Sequence, residues 1–387
     1  MCSPPLRRSF LHYPARVTGS RGLDLRPFQV RVPESDLIDL RRRLAATRWP
    51  EPSPASGWDH GIPHDLVRRL CSSWRADHDW RAAESRLNEW PQFLVTVGGT
   101  ELHVVHARSG RAGALPLVLT HGWPGSVLEL IGLVGPLVDE FDVVIPSLPG
   151  YGFSAKPAEP GWGIERIADT WAALMSGLGY ERYGAAGSDW GTSVSTLLAA
   201  RHPEHVAGIH LVPPLAGPAD GDVLTEAEQA ALDAMLSRGR NSSAYSEIHR
   251  TAPQTIGYAL LDSPAGLCAW MAEKLLTWGD LTWDQVLDQV TFYWLTGTAA
   301  SSARLYAESI SQVSRWMTDG ASAGPVPVPM GASIFENEIP RPSRRQAARR
   351  FPDIRYWAEH PRGGHFPALE VPELLVADLK AFFRRVR

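Results

Sequence analysis

The sequence predicts an α/β protein with a mostly parallel, doubly wound sheet, a helical block inserted late in that sheet, and a helical extension in front of it. Three observations carry this. Short apolar runs alternate with helical patterns from about Phe93 to Val212. The alternation stops near Pro213 and resumes only at Val326, with a helical stretch rich in Trp and Tyr between. Ahead of Phe93, apolar residues recur at helical spacing instead.

Residues 1–26 hold Arg7, Arg8, Arg16, Arg21 and Arg26 with no acidic residue before Asp24, and read as a flexible basic arm. They lack the apolar stretch of a secretory signal. Residues 27–92 read as the helical extension: Pro33-Glu34-Ser35 starts a helix carrying Leu37, Leu40 and Leu44 on one face, closed by Trp49-Pro50. Leu66, Leu70 and Trp74, then Trp80, Ala83, Leu87 and Trp90, make two further stripes, whose tryptophans are expected to pack against a neighbouring domain. The first part of the core spans 93–213. Phe93–Val97 and Glu101–Ala107 flank Gly98-Gly99 as a hairpin, and Leu115–Leu119 and Val143–Ile145 read as strands buried on both faces. Val127–Leu137 and Ile164–Leu178 are helices, followed by strand Tyr183–Ala186, helix Thr192–Ala200 and strand Val206–Val212. Residues 214–322 form the inserted helical lid, expected over the ligand-binding edge of the sheet. The second part of the core, 323–387, holds strands Val326–Phe335 and Ile354–Trp357 and the closing helix Pro372–Phe383.

Composition narrows the function. With 38 basic and 42 acidic residues the net charge is −4, so no global basic field serves nucleic acid. No run approaches the roughly eighteen apolar residues of a membrane span. The cysteines are Cys2, Cys71 and Cys268, an odd number at distant positions, which argues against a disulfide framework and a cysteine metal site and suits a reducing, cytoplasmic setting. No metal and no cofactor are expected. His103 and His106 resemble a metal pair, but three residues apart on a strand they face opposite ways.

Gly187-Ser188-Asp189-Trp190-Gly191 is the most informative segment. Glycines two positions either side of Asp189 allow a sharp strand-to-helix turn that exposes the central side chain, the nucleophile elbow of hydrolases, with Asp where esterases and lipases carry Ser. A carboxylate suits displacement at an sp³ carbon, which leaves an alkyl ester. Attack on an ester would leave an anhydride. Asp189 as a mere helix cap is the competing reading, but Ser188 or Thr192 could cap without two glycines. His121-Gly122-Trp123-Pro124 follows an earlier strand of the same sheet, where such folds supply half of an oxyanion hole. Its amides would be those of Trp123 and Trp190. In the chain order nucleophile, acid, histidine, the base is His365 in Gly363-Gly364-His365-Phe366. His360 lacks the glycine hinge and is expected at the surface. Phe335-Glu336-Asn337-Glu338 offers two carboxylates to orient His365, and spacing alone does not choose between Glu336 and Glu338.

Taken together, these segments resemble the epoxide hydrolases of the α/β-hydrolase fold, more narrowly the microsomal and juvenile-hormone type with its N-terminal helical extension. Arg48-Trp49-Pro50, Trp90-Pro91-Gln92-Phe93, His121–Ser126, Pro149–Ser154, Gly187–Gly191 and Arg362–Leu369 carry the resemblance, which covers about Phe28 to Phe383. It implies two lid tyrosines that donate to the epoxide oxygen. The matching contexts are Tyr245, ahead of Pro253-Gln254-Thr255-Ile256-Gly257, and Tyr306, in Arg304-Leu305-Tyr306, leaving Tyr258 and Tyr293 as packing residues. It implies Glu338 as the acid, with Glu336 standing where the family has Pro. Animal members begin with a membrane anchor that nothing in Met1–Pro27 supplies, so a soluble form is expected. The function so implied is hydrolysis of a small apolar epoxide by water to a vicinal diol, through a covalent ester on Asp189. Its rivals are a haloalkane dehalogenase-like hydrolase and a non-catalytic binding protein on the same scaffold. Detoxification, catabolism, secondary metabolism and homo-oligomerisation all stay open.

Overall fold

A computed structural model describes residues 17–18, 22–219, 221–318 and 324–387. The arginines at 7, 8, 16 and 21, Cys2, and the end of the lid at 319–323 lie outside the described residues. The strands are β1 (Val17–Thr18), β2 (Asp24–Phe28), β3 (Gln92–Val97), β4 (Thr100–Ala107), β5 (Leu115–Thr120), β6 (Phe141–Pro146), β7 (Tyr183–Ser188), β8 (Val206–Val212), β9 (Met330–Phe335) and β10 (Ile354–His360). They form one sheet in the order β1-β2-β3-β4-β6-β5-β7-β8-β9-β10. Pairing is antiparallel from β1 to β4 and between β4 and β6, and parallel from β6 onward. Every residue of β5, β8 and β9 is buried, as helices on both faces require. Gly98 and Gly99 take φ of 58° and 84° in the β3–β4 turn, the left-handed pair that matches the twist of a two-residue hairpin.

Helices Val127–Val138, Ile164–Gly177 and Trp190–Arg201 cross between the parallel strands, and Pro372–Phe383 closes the chain. Six helices from Glu226 to Thr318 separate β8 from β9. The α/β-hydrolase fold is therefore present with its helical insertion. The extension holds helices Glu34–Ala45, His64–Ala76 and Trp80–Asn88, burying Leu37, Leu40 and Leu44 on the first and Leu70 and Trp74 on the second. Trp74 reaches the inserted helices, its indole N–H donating to Thr291 Oγ1 at 2.7 Å. Cys71 and Cys268, distant in sequence, meet thiol to thiol between the extension and the inserted helices, and both are free.

Three boundaries differ from expectation. The arm does not run loose to residue 26, nor is the chain helical from 27. β2 joins the sheet beside β3, with Leu25 buried and Arg26 ion-paired to Glu101. Its Asp-Leu-Arg-Pro-Phe sequence carries one inward apolar residue between charges, as an outer strand does. β9 begins at Met330 rather than 326, because Pro325, Pro327 and Pro329 remove ladder donors. β10 runs on to His360 through polar residues, since at the sheet's edge it is only half covered.

Candidate active site

The turn after β7 is built by what its glycines leave out. A Cβ on Gly187 would lie 2.3 Å from the Gly191 carbonyl carbon, and one on Gly191 would lie 1.9 Å from the Thr120 carbonyl oxygen. The crossing is that tight, and Asp189 at its tip takes φ 52°, the one positive φ outside glycine among the described residues. Such strain persists only where the surroundings impose it. Asp189 occupies the N-cap position of helix Trp190–Arg201 yet its side chain makes no capping bond, so the capping alternative fails.

The loop after β5 meets this carboxylate. The Trp123 backbone N–H donates to Asp189 Oδ1 at 2.8 Å. Gly122 permits the approach, because a Cβ there would come within 2.2 Å of the same oxygen. The Trp123–Pro124 bond is cis. Trp190 opens the helix behind the tip and lines the cavity described below. His121 is wholly buried; its Nε2 accepts from the Leu148 amide at 3.2 Å and its Nδ1 faces the Gly122 carbonyl at 3.1 Å. Burial lowers its pKa to about 4, which makes it a neutral brace for the loop rather than a base.

His365 lies on the loop after β10, its backbone N–H donating to the Trp278 carbonyl at 2.9 Å. Its Nδ1 is 2.8 Å from Glu338 Oε2 and its Nε2 is 3.5 Å from Asp189 Oδ2. Burial works against its charged form, but the Glu338 and Asp189 carboxylates outweigh burial and push its pKa up to about 10. Of the two candidate acids, Glu338 is buried against the imidazole, while Glu336 points to solvent. The Asn337 N–H donates to the Gly363 carbonyl at 3.0 Å and ties the two loops together. His360 is not a surface residue, because it sits inward on β10 with Nε2 2.6 Å from the buried Asp378. His103 and His106 do point apart. The first ring bridges Gln92 and Ser147, and the second meets Tyr180.

From the inserted helices, Tyr306 donates to the Tyr245 hydroxyl at 3.4 Å. Tyr245 stacks on the Trp123 indole, with centroids 5.0 Å apart and planes 11° off parallel. Burial raises the Tyr306 phenol well above its usual range and keeps it a donor. Tyr258 is 71% exposed, and Tyr293 donates to the Gly125 carbonyl at 2.8 Å. Asp189, His365, Glu338, Tyr245 and Tyr306 all line one cavity of about 340 Å³, with Leu215, Ile310 and Met317 among its apolar walls. Two functional neighbours escaped the sequence reading. Trp278 holds the histidine loop, and Glu129 is a buried carboxyl three residues beyond the His121–Ser126 segment, in the first turn of the apolar helix Val127–Val138. Only a charge inside an otherwise apolar helix could have signalled it. Among the described residues no group of three or more metal-binding side chains occurs, and no helix is long and apolar enough to cross a membrane.

Sheet, turn and inserted helices define an α/β hydrolase with aspartate at the tip of its strand-to-helix turn. Residues 25–130 match the family model described as epoxide hydrolase N terminus, and residues 116–244 match that of the alpha/beta hydrolase fold. A Stigmatella aurantiaca protein with a provisional epoxide hydrolase name is 43% identical over 93% of this chain and 85% of its own length. Epoxide hydrolase 1 of Oryctolagus cuniculus is 30% identical over 98% of this chain and 93% of its own. The solved Aspergillus niger epoxide hydrolase superposes with a TM-score of 0.88 at 30% identity, covering 98% of this chain and all 100% of that one. The chain belongs to the epoxide hydrolase family.

Proposed function

We propose that this hydrolase opens an apolar epoxide to a vicinal diol, with Asp189 as nucleophile, His365 and Glu338 as the water-activating pair, and Tyr245 and Tyr306 as donors to the epoxide oxygen. The observation that carries the reading is the shared cavity, into which the carboxylate, the imidazole and the phenol pair all open. With Oδ1 held by the Trp123 amide, Oδ2 is the oxygen left to attack. It displaces the ring oxygen from carbon, and a phenol gives that oxygen a proton as charge develops. The alkyl ester carries no charge, so His365 loses one of the two anions that hold its proton. The released proton restores the phenol. His365 then takes a proton from water, hydroxide adds to the ester carbonyl with its oxyanion on the Trp123 and Trp190 amides, and collapse frees the diol and the Asp189 carboxylate.

A dehalogenase would need N–H donors for halide in the lid. The paired phenols instead support a leaving oxygen that must be protonated. Incubation with styrene oxide and with 1-chlorobutane tests this: diol without chloride is expected, and chloride without diol would overturn it. A binding protein would give neither. The buried free thiols of Cys71 and Cys268 support action in a reducing compartment such as the cytoplasm.

A further inference from the structure

Glu129 lies in the first turn of helix Val127–Val138 and is 2% exposed. It does not line the substrate cavity. Its Oε1 accepts a hydrogen bond from Ser188, the residue before Asp189, at 3.3 Å. Its Oε2 occupies the space that a Cβ on Gly125 would need, 2.0 Å from that position. One carboxyl group thus touches both segments that shape the nucleophile's surroundings, the loop with the Trp123 amide and the turn with Asp189. The titratable groups that face it are Asp189 from the turn, His365 and Glu370 from the last loop and the short helix after it, and Tyr293 from helix Trp283–Thr296. No Arg or Lys is among them, and the facing acids outnumber the single histidine.

We propose that Glu129 is a positioning residue: as a neutral carboxylic acid it holds the Trp123 loop against the Asp189 turn, and its ionisation shuts down ester hydrolysis at alkaline pH. This rests on the Asp189 mechanism above. Burial, reinforced by Asp189, pushes the Glu129 pKa up to about 8, with His365 and Ser188 opposing. Below that pH the group adds no charge. Above it, a second carboxylate beside the nucleophile opposes the oxyanion of the hydrolytic step and keeps the proton on His365, so the alkyl-enzyme accumulates.

The test compares wild type, Glu129→Gln and Glu129→Leu with styrene oxide between pH 6 and 10, reading diol formation and, by intact-protein mass spectrometry, the covalent adduct. The wild type is expected to lose diol formation toward the alkaline end of that range, because burial holds the Glu129 carboxyl above its usual range. Glu129→Gln cannot ionise, so its diol formation should stay flat through that range and no adduct should build up at pH 9. Glu129→Leu removes the polar link and should alkylate about 10–100-fold more slowly at every pH, as a shifted nucleophile does. An alkaline fall that survives in Glu129→Gln overturns the proposal, as does a folded Glu129→Leu that alkylates like wild type. Should Glu129→Leu not fold, the Glu129→Gln profile decides alone. His365→Gln at pH 7 separates the two levels: no adduct there contradicts the Asp189 mechanism itself, whereas an adduct with an unchanged Glu129→Gln profile removes only the role of Glu129.

Discussion

Tyr245 and Tyr306 share a hydroxyl-to-hydroxyl contact and a cavity wall, and that sets them apart from the other lid tyrosines. A donor whose bond tightens as the ring oxygen gains charge lowers the barrier, so Tyr245→Phe and Tyr306→Phe should each slow alkylation by about 10–10³-fold in rapid-quench mass spectrometry. Tyr258→Phe, at a position 71% exposed, should leave it unchanged. Tyr293→Phe removes the bond to the Gly125 carbonyl, so it should cost about 1 kcal/mol of stability and act on alkylation only through the loop. At His365 the two half-reactions separate: His365→Gln should alkylate and then stall, leaving an adduct of enzyme plus substrate in the mass spectrum. His365 stood out through its glycine-flanked loop, whereas Tyr245 and Tyr306 stood out only because their contexts resemble those of the family. Spacing did not choose Glu338 over Glu336, since residues two apart on an extended chain share a side, and only the resemblance favoured Glu338. Only the turn at Phe335–Glu338 sends one to the histidine and the other to solvent.

At the scale of elements, the strand–turn–helix around Asp189 leaves no room for a methyl group. Gly191→Ala would press a Cβ to 1.9 Å from the Thr120 carbonyl oxygen in β5. The change should cost about 1–3 kcal/mol in denaturant unfolding and slow alkylation as well, because the tip moves with its flanks. Central strands and their helices were readable from sequence, since burial on both faces makes β5 and β8 mostly apolar, with only Thr120 and His210 as polar exceptions. Outer elements were less so. β2 and the far end of β10 carry polar residues because one side of each meets little protein, and the pull of the neighbouring strand, not local propensity, makes them strands. Prolines shortened β9 in a way that apolarity alone concealed. Glu129 stayed hidden because its neighbours, Gly125 in the loop after β5 and Ser188 at the end of β7, are brought together only by the fold.

For the whole molecule, buried histidines set the response to acid. Burial lowers the pKa of His103, His106 and His249 to about 3 and of His121 and His210 to about 4, against 6.5 when unfolded. Below 6.5 the unfolded chain takes up protons that these rings refuse, so stability falls by about 1.4 kcal/mol per histidine for each pH unit. His365 acts in the opposite sense. With its folded pKa raised to about 10, its contribution is complete below 6.5 and fades as pH rises toward 10. Thermal unfolding between pH 4.5 and 9.5 should therefore place the maximum near 6.5, with a steep acid side and a shallower alkaline one. The central claim, a covalent ester on Asp189, is tested most directly by a single turnover of styrene oxide in oxygen-18 water with enzyme in excess. An unlabelled first diol is expected, because its new oxygen comes from the Asp189 carboxylate, with label left in the protein at that residue. A labelled first diol with unlabelled protein would mean that water attacks the epoxide directly, and would contradict that claim.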